Sequence, residues 1–177
     1  TLLHAGLIRL ARIDAPVIMA VNGTAGGGGL SMVLSGDYVI ASERAKFVSA
    51  YTSSGLTPDG SSTYYLAKHV GLLRAKELML TNRVLTADEA QAWGLVNKVV
   101  PPETVMDEAH AMAQQIASGP TKAYGGVKRL LDTAFSDGLE TQLDRETRSI
   151  ADMMRTTDGP AGIAAFLAKE TPRFEGK

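Results

Sequence analysis

Apolar and polar positions alternate along this chain in two ways. Short apolar runs dominate the first hundred residues, and helical spacing dominates the rest. Leu2, Leu3, Leu7, Ile8, Leu10 and Ile13 recur at helical intervals, so Leu2–Ile13 reads as an amphipathic helix that needs a surface to pack on. After Pro16 the run Val17-Ile18-Met19-Ala20-Val21 reads as a buried strand. Asn22-Gly23 turns the chain. Four glycines, Gly26 to Gly29, follow, and Leu30–Leu34 returns to helical spacing until Ser35-Gly36. Tyr38–Ala41 and Lys46–Ser49 are further strands. Tyr51–Ser62 is polar and loop-like, with Ser61 and Ser62 reading as helix caps. Thr63–His69 and Leu72–Leu80 are helices separated by Gly71. Thr86-Ala87-Asp88-Glu89 is a capping box opening a helix that runs to Trp93 and stops at Gly94. Leu95–Val100 is the last strand, closed by Pro101-Pro102.

Beyond residue 102 the pattern is helical throughout. Helices are expected over Glu103–Ile116, Thr121–Phe135, Gly138–Met154 and Pro160–Lys169. The organisation implied is an α/β part over 1–102 and a helical region over 103–177 that must cover something. Because the chain opens on Thr1 in the middle of a helix pattern, it reads as the back part of a longer protein.

Composition narrows the classes. Hydrophobic residues make up 45% and charged residues 21%, enough for an ordinary core. The 18 basic and 19 acidic residues leave a net charge of -1, which gives no support to nucleic-acid binding. With no cysteine there is no disulfide and no thiolate nucleophile. His4, His69 and His110 are far apart in sequence, with no metal-ligand spacing. No apolar run reaches membrane-spanning length, so a cytoplasmic protein is expected.

Candidate chemistry gathers at two places. Glycines between a strand and a helix let a ligand approach backbone, and the first N–H groups of a helix have no acceptor within it. Such donors suit a phosphate or a developing oxyanion; the same glycines also serve tight helix–sheet packing. The second place is Asp59, in Pro58-Asp59-Gly60. That tripeptide is a turn signature, and it can also present a general base or a nucleophile. No histidine stands near Asp59 in sequence, so a hydrolase triad is unsupported. Tyr51 reads as a core residue, an apolar wall or a hydroxyl donor.

These stretches resemble a known family. PVIMAVNGTAGGGGLSMVLSGDYVIASERAKFV is similar to the signature region of the crotonase, or enoyl-CoA hydratase/isomerase, superfamily. SSGLTPDGSSTYYLAKHVGLLRAKELMLTNRVLTADEAQAWGLVNKVVP continues the likeness, and AGIAAFLAKETPRFEGK resembles the family's last helix. The resemblance implies an α/β spiral of ββα units followed by helices that pack across a homotrimer or hexamer. It implies an acyl-CoA thioester as substrate, with no cofactor beyond that coenzyme A, no metal, no nucleic acid and no membrane. By position, Gly28 matches one of two oxyanion donors; the other donor and most of the adenine surface fall in the family's N-terminal part. Gly27, Phe166 and Lys169 match coenzyme A contacts, with Phe166 expected in the core in any case and Lys169 also readable as an exposed helix-end lysine. Ser31, Tyr51 and Leu56 match the acyl pocket.

Departures from the family pattern point to the reaction. Hydratases carry two glutamates where this chain has Ser31 and Tyr51, and those hydroxyls cannot replace an acid–base pair at neutral pH. The acid here is Asp59, placed as in members resembling ring-epoxide isomerases, dienoyl-CoA isomerases and chlorobenzoyl-CoA dehalogenases. A lone carboxylate can shuttle one proton between carbons. The expectation is therefore an acyl-CoA isomerase that shifts a double bond or rearranges an epoxide. The competing readings are a hydratase-like enzyme, a dehalogenase or thioesterase with Asp59 as nucleophile, and a catalytically degenerate trimeric binding or structural member.

Overall fold

A computed structural model describes all of residues 1–177. The chain forms two compact units, Thr1–Ala11 with Val17–Met112, and Arg12–Pro16 with Ala113–Lys177. The division falls inside a helix, later than the end of the sheet near residue 102.

The first unit opens on α1 (Leu2–Arg12), which buries Leu7. Two small sheets follow. In one, β1 (Ile18–Val21) and β6 (Lys98–Val100) lie parallel on either side of β3 (Tyr38–Ser42). In the other, β4 (Lys46–Val48) is central, parallel to β2 (Thr24–Gly26) and antiparallel to the two-residue β5 (Leu85–Thr86). Residues in the middle of β3 are apolar because both faces of this central strand are covered. Successive side chains of a strand point to opposite faces. Val39 and Ala41 accordingly enter the main core with Val21, Leu30, Phe47, Leu66 and Leu85. Ile40 enters a second cluster with Val100, Val105 and Ala109. No helix of the chain is long and apolar enough to cross a membrane.

Helices α2 (Gly28–Leu34), α3 (Ser62–Thr81) and α4 (Ala87–Ala92) complete this unit up to α5 (Val105–Ala117). Gly71 breaks α3 at φ 77°, ψ 164°, as expected from its place between two helical patterns. The capping box at Thr86 is present on both sides: Glu89 N–H donates to the Thr86 hydroxyl, and the Thr86 N–H to the Glu89 carboxylate.

Two expectations are corrected here. The sequence reading ran a turn through Asn22-Gly23 into the glycine run, whereas Thr24–Gly26 is a strand held by β4. The last strand was expected from Leu95, but it starts at Lys98. The reason is the end of α4. Gly94, at φ 83°, donates to the Gln91 carbonyl and Leu95 donates to the Ala90 carbonyl, a Schellman closure that uses the Leu95 N–H. Asn97 then takes the strand's place beside β3, its side-chain oxygen accepting from Val39 N–H at 2.8 Å and its own N–H donating to the Val39 carbonyl at 2.9 Å.

The second unit holds the end of α5, then α6 (Thr121–Thr133), α7 (Leu139–Met153) and α8 (Asp158–Ala168). Asp14 anchors α6 through Arg129 at 2.6 Å and Lys122 at 3.1 Å. Asp158 is buried and fixes the C-terminal segment by accepting from the Glu175 and Gly176 N–H groups at 2.7 and 2.8 Å. Phe166, expected in the core, is 80% exposed. A side chain's apolarity sets what burial would contribute, not which surface covers it.

Candidate active site

The turn from β2 into α2 is made by Gly27, at φ 51°, ψ −119°. Its N–H donates to the Val48 carbonyl at 3.2 Å, and its carbonyl accepts the Ser31 N–H at 3.0 Å. Gly28 is the first residue of α2 and is exposed, so its N–H precedes every acceptor the helix itself supplies. A Cβ on Gly28 would come no closer than 3.9 Å to another group, the Tyr51 hydroxyl.

Asp59 is held against this turn through its main chain. Ser31, 1% exposed, donates its hydroxyl to the Asp59 carbonyl at 2.7 Å. The Tyr51 hydroxyl lies 3.3 Å from that same carbonyl and 3.2 Å from Ser31 Oγ, and Ser62 Oγ lies 3.1 Å from it. Ser61 sits at the N-cap of α3 at φ 70° but makes no side-chain cap bond, and Ser62 bonds Asp59 rather than capping, both unlike the expectation. Tyr51 thus bridges α2 and the Asp59 turn.

Gly60 shapes the turn. It is buried at φ +65°, and a Cβ there would stand 3.0 Å from Ser31 Cβ and 3.4 Å from Ser31 Oγ. Gly60→Ala is expected to lower stability by about 1–2 kcal/mol, from the left-handed backbone and the crowding of Ser31; thermal melts of the two proteins measure it. An unchanged melting temperature would mean that the turn relaxes away from Ser31.

The Asp59 carboxylate faces outward, with 60% of the side chain exposed. It is not alone. His4 Nε2 stands 2.8 Å from Asp59 Oδ1, although the two residues are 55 positions apart. No histidine is near Asp59 in sequence, but the fold supplies one: α1 brings His4 to the turn while Leu7, one helical turn further and buried, packs towards Gly60. The Gly60 N–H, and after it His4, hold the Asp59 carboxyl below the usual carboxylate range. It is therefore ionised at neutral pH and able to accept a proton.

The structure brings Gly27, Gly28, Ser31, Tyr51 and Asp59 together, and adds His4. Leu56 is 61% exposed on the loop between Tyr51 and Asp59. Phe166 and Lys169 belong to the second unit, on α8 and at its C-cap, and both are exposed. His69 places Nε2 3.3 Å from the Leu34 carbonyl.

Known proteins share the sequence and the fold of this chain. The family model described as enoyl-CoA hydratase/isomerase matches residues 3–177. A 1,2-epoxyphenylacetyl-CoA isomerase of Escherichia coli (strain K12) is 42% identical over 169 residues, covering 96% of this chain and 64% of that protein. The 4-chlorobenzoyl coenzyme A dehalogenase-1 of an Arthrobacter species is 38% identical over 167 residues, covering 94% of this chain and 60% of that protein. The chain thus spans less than two thirds of the length of either curated relative. The crystal structure of an enoyl-CoA hydratase from Polaromonas sp. JS666 superposes with a TM-score of 0.92 at 35% identity, over 98% of this chain and 67% of that one. With a family model matched over nearly its whole length and a shared fold, the chain belongs to the enoyl-CoA hydratase/isomerase family of the crotonase superfamily.

Proposed function

We propose that this chain carries the acid–base group and one oxyanion donor of an acyl-CoA isomerase. The observation that carries the reading is the fastening of Asp59. Ser31, Tyr51 and Ser62 hold its main-chain carbonyl, which fixes the turn against α2 and leaves an ionised carboxylate exposed. The Gly28 N–H donates to the thioester oxygen as negative charge develops there, which lowers the cost of removing a proton from the adjacent carbon. Asp59 takes that proton and returns it to another carbon, so the double bond moves or an epoxide rearranges with no net change in atoms. The hydroxyls of Ser31 and Tyr51 are engaged with the Asp59 turn, which fits a positioning task better than activation of water. The chemistry calls on no cofactor beyond the coenzyme A of the substrate. Gly27, Phe166 and Lys169 are proposed contacts to that coenzyme A, Leu56 a wall of the acyl pocket, and a homotrimer or hexamer the assembly. The exposed Phe166 and Leu167 of α8 fit burial against another copy.

A second reading has Asp59 as nucleophile in a dehalogenase or thioesterase. His4 beside the carboxylate and the likeness to a dehalogenase favour it. Isotope tracing separates the two. The protein carrying this chain is incubated in ¹⁸O water with an enoyl-CoA, an epoxyacyl-CoA and a 4-halobenzoyl-CoA. Isomerisation is expected, giving a product of unchanged mass without label. Single-turnover entry of ¹⁸O into Asp59 would select the nucleophile, and addition of labelled water to the double bond would select hydration.

A further inference from the structure

The Asp59 turn and the Asp59 side chain are held by different groups. The hydroxyls of Ser31, Tyr51 and Ser62 all meet the Asp59 main-chain carbonyl. The carboxylate is held by the Gly60 N–H, which belongs to the turn, and by His4, which does not.

That division matters for a base. The terminal torsion of an aspartate is broad, so an exposed carboxylate on a fixed turn can still rotate. Proton abstraction requires one oxygen to stay within hydrogen-bond reach of the carbon-bound proton. An N–H from a second element, 2.8 Å from Oδ1, adds a second restraint to that of the Gly60 N–H and so limits rotation of the carboxylate, with Oδ1 the oxygen turned to α1. The helix that carries His4 is itself seated on the turn. Leu7 lies on the same face of α1 as His4 and is 6% exposed, and its Cδ1 would lie 3.7 Å from a Cβ on Gly60. The pair is 46% and 60% exposed, and contacts so open to water contribute little to folding. Its chemical consequence is thus larger than its structural one.

We propose that His4 is a positioning residue for Asp59, its Nε2–H holding Oδ1 so that Oδ2 is presented to the substrate carbon. This rests on the acid–base reading of Asp59 given above. The proton travels from carbon to Oδ2 and back to carbon; His4 keeps its own proton throughout. The tautomer required carries hydrogen on Nε2, because an ionised carboxylate repels a nitrogen lone pair.

The test uses phenylacetyl-CoA, whose α-protons are activated by both the thioester and the ring. Exchange of those protons is followed by proton NMR in deuterated water, with the protein carrying this chain and its His4→Ala, His4→Gln, Asp59→Asn and His4→Ala/Asp59→Asn forms. His4→Ala is expected to lower the maximal exchange rate about 10- to 100-fold, the scale of a misplaced reacting group, with KM within about twofold. His4→Gln, whose amide N–H extends towards the same oxygen, is expected to recover part of the loss. In the Asp59→Asn background, His4→Ala is expected to have no further effect. An unchanged maximal rate in His4→Ala, a loss falling on KM alone, or the same loss with Asp59 already replaced overturns the proposal. Full exchange by Asp59→Asn would instead defeat the acid–base reading, and with it this one. An inactive Asp59→Asn beside a fully active His4→Ala defeats the His4 proposal only.

Discussion

Asp59→Asn is expected to reduce isomerisation about 10³-fold while leaving the affinity for a CoA thioester within about threefold. The magnitude is that of a lost general acid–base group. Asparagine keeps the shape of the side chain but cannot take the proton. The contacts that fix the turn end on the Asp59 main-chain carbonyl, so the substitution leaves Ser31, Tyr51 and Ser62 where they are. Affinity is read by calorimetric titration and turnover by product analysis on the same preparations. The substitution also changes the response to acid. The Gly60 N–H and His4 depress the folded-state pKa of Asp59 below its unfolded value. The stability this contributes is present above the unfolded pKa and is lost as the pH falls through the depressed one. Melting temperatures recorded from neutral to acid pH are therefore expected to fall less steeply for the Asn form. Activity of the parent protein is expected to drop over the same acid range, as the carboxylate gains the proton it must be free to accept.

Gly28→Pro is expected to lower turnover about 10²- to 10³-fold, the effect of deleting one preorganised donor to a developing oxyanion, or about 3–4 kcal/mol in the transition state. Proline suits the first position of a helix, because the N–H it lacks has no partner within the helix. The residue before it is the point of strain: Gly27 sits at φ 51°, ψ −119°, and a following ring restricts that backbone. Circular dichroism and a thermal melt therefore accompany the assay. Gly28→Ala supplies the control. It keeps the N–H, and its Cβ would meet nothing nearer than the Tyr51 hydroxyl at 3.9 Å. Rapid turnover by a folded Pro form would remove Gly28 from the chemistry. Equal losses in the Ala and Pro forms would assign the effect to crowding of the ligand instead.

What could be read from sequence had a local cause. The Thr86–Glu89 box, the break at Gly71 and the stop at Gly94 each follow from a few neighbouring residues whose conformational preferences agree, and the structure has all three. Strand β2 escaped detection because three residues, Thr24-Ala25-Gly26, carry no period; only pairing with β4 makes them a strand. Leu95 and Val96 carry a strand's composition, but the closure of α4 takes the backbone of Leu95 first. Phe166 was misplaced because an apolar helix states a need for cover and not its source. At the site, the glycine turn and Asp59 were visible as motifs. The partnership with His4 was not, because it depends on where α1 packs. The alternation of Leu7 with exposed neighbours gives the inward face of α1, and His4 shares that face, but no local pattern names Asp59 as what it meets.

The account stands most directly on proton transfer at carbon. Deuterium entry into phenylacetyl-CoA, followed by proton NMR in deuterated water, reports that step without requiring the natural acyl group. The protein carrying this chain is expected to exchange the α-protons, Gly28→Pro to exchange them at least about 10²-fold more slowly, and Asp59→Asn about 10³-fold more slowly. Exchange by Asp59→Asn at the parent rate, from a folded protein that binds the thioester, would contradict the assignment of Asp59 as the proton-transferring group.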